Sequence, residues 1–163
     1  MPPRPRRQPT NISNKNNVVV VNCVEALADA VQFLAKCSVI GVDCEGTLEV
    51  DDVDFYLRLV QVGGSDHSQR FRIFLFDMQF AAADAVPQID ECLRKLLASS
   101  SVVKVFHDLR LDVAAICKRI ALERDRVRLL FDTQVAFEVL AENAIVTRRY
   151  EGPRASLNDA LKA

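Results

Sequence analysis

The chain has 163 residues, half of them hydrophobic and 26% charged, which fits one globular core and leaves little room for a second. Its 21 basic and 22 acidic side chains give a formal charge of −1, so composition marks neither a basic nucleic-acid coat nor an acidic disordered chain. No apolar run approaches a membrane span and the Met1 end is polar, so a soluble intracellular protein without a membrane is expected, cytoplasmic or nuclear.

The first 17 residues carry Arg4, Arg6, Arg7 and Lys15, no acid and four prolines, the composition of a disordered basic tail. A nucleic-acid-binding arm, a nuclear address, a mitochondrial presequence and a plain solvated terminus all fit it, although the prolines disfavour a presequence helix. Residues 18–163 then form one domain. VVVVN (18–22) reads as a strand, and Val24, Leu27, Val31 and Leu34 recur at helical spacing behind it. Three β-rich runs follow, SVIGVDCE (38–45), FYLRLVQV (55–62) and FRIFLFD (71–77), close enough to form an antiparallel meander. GGSDHSQR has hairpin-loop composition between the last two. Pro87 opens a helix with Ile89, Leu93, Leu96 and Leu97 on one face. VVKVFHD (102–108) is a buried strand, followed by a helix with the stripe Leu109, Val113, Ile116 and Ile120. VRLLF (127–131) closes the sheet, Asp132 caps the next helix, and after a polar loop Ser156 opens SLNDALKA. The expected architecture is α/β: a mixed sheet, antiparallel meander plus parallel strands, with helices on both faces. The five cysteines, Cys23, Cys37, Cys44, Cys92 and Cys117, are scattered and expected to be reduced; with His67 and His107 remote from them in sequence, a structural zinc site is disfavoured.

The chemistry concentrates in VIGVDCEG. Asp43 and Glu45 stand at i and i+2 of a strand and leave the same face, while Ile40, Val42 and Cys44 point to the other. Two unpaired carboxylates side by side repel and are costly to bury, so something must compensate them. Asp112 lies at the border of its helix stripe, on a helix placed to bring it near that pair. Three converging carboxylates without Lys or Arg suit a hard divalent cation, Mg2+ or Mn2+, and two-metal phosphoryl transfer. A chance DxE in a strand, with Asp112 solvated or paired to Arg119, accounts for the same residues. The run EVDDVD (49–54) places four acids after this motif, where they would repel a phosphate substrate.

VIGVDCEG, LVQVG, IFLFD, VVKVFHDLRLDVAAI, LFDTQVAFEVL and SLNDALK, in this order, resemble the DEDD (DnaQ-like) 3'-5' exonuclease domain of the ribonuclease H-like fold, closest to its Egalitarian and "3'-5' exonuclease domain-containing" branch. The resemblance implies hydrolysis of single-stranded RNA or DNA, RNA before DNA, with two Mg2+ or Mn2+ ions held by Asp43, Glu45 and Asp112. It implies substrate contacts at Gly46, Thr47 and Leu48, and places His107 and Arg110 beside the site, His107 as a structural hydrogen-bonder and Arg110 as a phosphate contact or a solvated residue. The family's fourth Asp follows a Tyr or His in a third motif downstream of SLNDALK, past Ala163, and Tyr150 and Asp159 do not take those places. A fragment, or a degenerate relative serving as a nucleic-acid-binding adaptor or structural domain, both fit, and a protein partner is expected over the apolar surface such truncation exposes.

Overall fold

The computed structural model describes residues 17–48 and 55–145. The first sixteen residues of the basic tail, the acidic run 49–54, the polar loop with Tyr150 and the helix expected from Ser156 with Asp159 lie outside the described residues. Six strands, β1 (Val18–Val21), β2 (Val39–Leu48), β3 (Phe55–Ser65), β4 (Phe71–Asp77), β5 (Val103–Phe106) and β6 (Leu130–Asp132), form one sheet in the order β1-β4-β3-β2-β5-β6. The meander β2-β3-β4 is antiparallel, and β1, β5 and β6 join as parallel strands. Helix α1 (Val24–Leu34) links β1 to β2, α2 (Val86–Ala98) links β4 to β5, α3 (Leu109–Arg119) links β5 to β6, and α4 (Thr133–Ile145) follows β6.

Strand alternation divides the sheet into two chemistries. Val42 faces Val62 and Phe74 across three strands, and Cys44 faces Val60 and Phe76; all are buried. Leu27, Phe33 and Leu34 of α1, Ile89, Leu93 and Leu97 of α2, and Val113 and Ile116 of α3 join them in one cluster. Burying each large apolar side chain contributes about 1.5–3 kcal/mol, so this cluster carries the fold. The opposite set, Gly41, Asp43 and Glu45, lies on the other side of β2 and is exposed. Arg72 bonds both carboxylate oxygens of Asp29 at 2.8 and 2.6 Å while its guanidinium lies over the rings of Phe33 and Phe74, fastening α1 to β4. Arg119 donates to Asp90 at 2.8 Å and Arg94 to the Ile120 carbonyl at 2.7 Å, fastening α3 to α2.

Three local expectations are corrected. Helix α1 buries Ala26, Leu27, Ala30, Phe33 and Leu34, and Val31 is 46% exposed, because two alanines let the helix rotate its close-packed side towards the sheet. Gly63 and Gly64 belong to β3 rather than to the turn. A Cβ at Gly64 would meet Cys37 Sγ at 3.1 Å and the Val39 carbonyl at 3.2 Å, so glycine there allows close packing; the turn is closed instead by Asp66, which accepts the N–H groups of Ser68 and Arg70. The last strand is Leu130–Asp132 rather than 127–131, since a turn of 3-10 helix (Arg124–Arg126) and a left-handed Leu129 (φ 49°) precede it. No helix among the described residues is long and apolar enough to cross a membrane.

Asp132 caps α4 as expected, and it also reaches back to α3. Its Oδ1 accepts the N–H groups of Gln134 (2.9 Å) and Asp108 (3.1 Å), and its Oδ2 that of Leu109 (3.1 Å). One carboxylate thus serves the first turns of two helices, and Asp108, the residue preceding α3, makes no cap bond with its own side chain. Burial pushes the Asp132 carboxyl upward, but the backbone N–H bonds outweigh it and hold the pKa below the usual value. Asp132→Ala is therefore expected to cost about 1–4 kcal/mol, two lost caps, in urea denaturation. The difference from the native chain should shrink as pH falls below the ordinary carboxylate range, because a depressed folded pKa contributes stability only above it.

Candidate active site

Asp43 and Glu45 leave the exposed side of β2, two residues apart, as the strand's alternation requires. Gln61, directly opposite Asp43 on β3, donates from Nε2 to Asp43 Oδ2 at 3.3 Å and orients that carboxylate. Immediately after Glu45 the register shifts: Glu45 faces Leu59 and Gly46 faces Leu57, so Arg58 is the extra residue of a β-bulge. Asp112 sits half-buried in the first turn of α3. Burial, and then the charges of Asp43, Asp108 and Glu45, push its pKa up to about 6. Helix α3, which carries Asp112, packs against β3 beside β2, so the charges of Asp43 and Glu45 reach Asp112. Among the described residues no Lys or Arg pairs with Asp43, Glu45 or Asp112, and Arg119, the alternative partner of Asp112, is taken by Asp90.

A group of like charges without a counter-charge is a site for a cation, and carboxylate oxygens suit a hard divalent ion. The donor chemistry fits. Among the described residues, however, no three His, Cys, Asp or Glu side chains are gathered closely enough to grip one ion, so the cluster is open rather than a closed cage. All five cysteines are free thiols, as their spacing implies.

Around the cluster, Gly46 and Thr47 continue β2 beyond the bulge, and the Thr47 hydroxyl accepts from Arg58 Nε at 3.2 Å. Leu48 ends the strand, and its side chain lies outside the described set. His107 Nδ1 meets Thr133 Oγ1 at 2.9 Å, and that hydroxyl donates to the Phe106 carbonyl at 3.0 Å. The hydroxyl has one proton, so His107 Nδ1 is the donor of the first bond and the imidazole is held to the start of α4. Arg110 is exposed and bonds both oxygens of Asp108 at 2.7 and 3.0 Å, which ties its charge up locally. Gln61 and Arg58 went unnoticed in the sequence because their roles depend on cross-strand register; the LVQV pattern marks only a strand.

A family model described as 3'-5' exonuclease matches residues 18–158. No curated protein matches the chain. Among solved structures, ribonuclease D of Trypanosoma brucei in complex with RNA U12 shares 26% identity at a TM-score of 0.62, over 76% of this chain and 39% of that one. The Nibbler EXO domain of Aedes aegypti superposes at a TM-score of 0.68 with 12% identity, over 92% of this chain and 70% of that one. The EXD2 exonuclease domain soaked in Mg and GMP superposes at 0.55 with 18% identity, over 83% and 64%. The last two likenesses concern the fold, which is ribonuclease H-like. The chain spans 34–50% of the length of the ribonuclease D chains of Trypanosoma brucei that it matches. With a match that runs from β1 through every described element, the chain belongs to the 3'-5' exonuclease family.

Proposed function

We propose that this domain hydrolyses RNA from its 3' end in a metal-dependent reaction that releases nucleoside 5'-monophosphates. The observation that carries this reading is the uncompensated cluster of Asp43, Glu45 and Asp112; family membership and the RNA-bound ribonuclease D support it. Asp43, Glu45 and Asp112 would hold divalent ions, Mg2+ or Mn2+. Such ions supply an activated water at neutral pH and neutralise charge on the phosphodiester. The chain's own residues set the geometry. Gln61 holds Asp43 in one orientation, and Asp132 fixes the start of α3 and with it the height of Asp112. His107, with Nδ1 committed to Thr133, positions α4 against the end of β5. The open spacing of the carboxylates favours one second reading, a nucleic-acid-binding module of the same fold that retains the shape without turnover.

Incubating the protein's full natural coding region with 5'-labelled single-stranded RNA and Mn2+ should give a ladder shortening from the 3' end. Asp43→Asn should slow it on the order of 10³-fold, the scale of several kcal/mol of lost charge stabilisation. Intact oligonucleotide that is bound but never shortened would replace this reading with the binding module. Mn2+ should raise the thermal midpoint of the native chain by mass action and leave that of Asp43→Asn nearly unmoved.

The metal-free chain makes a separate prediction. The folded pKa of Asp112 lies above its unfolded value, so the native state holds its proton more tightly and stability falls as pH rises from about 4 through about 6. Asp112→Asn removes that dependence: its melting temperature should exceed the native one at pH 8 in EDTA, and the two should converge near pH 4.

A further inference from the structure

Beyond Glu45 the sheet presents a second surface, to which the carboxylate cluster contributes nothing. Tyr56 faces Thr47 across β2 and β3 and is 63% exposed, and Phe80, in the turn after β4, is 75% exposed. They are the most exposed of the aromatic side chains described. Arg58, the extra residue of the bulge, is bonded to a neighbour of each: Thr47, which faces Tyr56, and Gln79, which precedes Phe80. Tyr56 and Arg58 flank the buried Leu57 and both are exposed; Arg58, lifted out of the alternation by the bulge, is placed by its bond to Thr47, the residue that faces Tyr56. Arg58 donates from Nε to the Thr47 hydroxyl and from Nη1 to Gln79 Oε1, each at 3.2 Å, and its carbonyl accepts the Met78 N–H at 2.9 Å.

The partners of Arg58 are what separate it from most of its kind. Arg70, Arg72, Arg94, Arg110, Arg119 and Arg126 each meet a carboxylate, whereas both side-chain partners of Arg58 are neutral. Two neutral acceptors hold the guanidinium in place and leave its charge available to an anion. Gln79 in turn is placed by the Asp77 carboxylate, which accepts the N–H groups of Gln79 (3.0 Å) and Phe80 (2.8 Å) and so fixes the turn that carries the second ring.

We infer that Tyr56, Arg58 and Phe80 form a subsite for single-stranded nucleic acid, the two rings stacking bases and Arg58 contacting the phosphate between them. Aromatic faces interleaved with an uncommitted cation are the arrangement that binds single strands without regard to sequence. The inference deepens the exonuclease reading and rests on it for direction: the subsite begins two residues past Glu45 on the same pair of strands, so it lies along the strand that leads to the carboxylates.

Binding of a labelled single-stranded oligouridylate, measured by fluorescence anisotropy in EDTA with the whole chain, tests this apart from any cleavage. Tyr56→Ala and Phe80→Ala should each weaken binding about 10-fold, and Tyr56→Phe and Phe80→Tyr should restore it. Arg58→Gln should weaken binding and flatten its salt dependence. An oligomer of abasic residues should bind the native chain as weakly as an oligouridylate binds the ring variants. Equal affinity of native and ring variants, or of abasic and natural oligomers, overturns the subsite even if the chain shortens RNA. Weakened ring variants together with a chain that never cleaves leave the subsite standing and remove the exonuclease reading; a native chain that binds no oligonucleotide removes both. Photo-crosslinking of thiouridine-substituted RNA to the native chain needs no variant to fold: adducts on Tyr56 or Phe80 support the subsite, and adducts confined to other residues overturn it.

Discussion

The carboxylate of Asp132 is the constraint on which the site depends. A helix begins with N–H groups that no residue of the helix can satisfy, and α3 follows Asp108, whose backbone is left-handed (φ 57°, ψ 60°) and whose side chain makes no cap bond to them. Asp132, arriving from the neighbouring parallel strand, satisfies two of these groups and caps α4 with the same oxygens. The start of α3 is therefore set by the register between β5 and β6, in which Phe106 lies beside Asp132. Asp112 is one turn further along, so its distance from Asp43 inherits that register. His107 and Thr133 lock the same corner from its other side.

A second constraint is the alternation of β2. Cys44 and Val42 bind the strand into the apolar layer so firmly that Asp43 and Glu45 have one direction left. The bulge interrupts this regularity one residue later. Without it Arg58 would fall into the alternating pattern of β3; with it, the guanidinium reaches Thr47 and Gln79 while the pairing resumes to Leu48 and Phe55. The same pair of strands therefore carries an acidic region and then Tyr56 and Arg58 in succession.

What could be read in advance follows from the range of the interactions involved. Asp43 and Glu45 were legible because i and i+2 in a β-branched run admit one geometry. The Asp132 cap of α4 was legible because it spans two residues, whereas its grip on α3 crosses 23 residues and needs the β5–β6 pairing to exist. Helix α1 misled because apolar periodicity weighs Val31 above Ala26 and Ala30, while packing against the sheet rewards the small side chains. Gly63 and Gly64 looked like a turn, and the need for glycine at Gly64 came from Cys37 and Ile40 pressing on β3 instead. The bulge at Arg58 has no signature within its own strand.

Cys44 stands between the two carboxylates in sequence and faces away from them in space. Burial, then the negative charges of Asp112, Asp43 and Glu45, push its thiol up well beyond the ordinary range, so it stays protonated and inside. Peroxide and electrophiles attack thiolates, and the sulfur nearest this site offers none. At this position the strand keeps its carboxylates indifferent to the oxidation state of their surroundings, and Cys44 meets alkylating reagents with the same inertness.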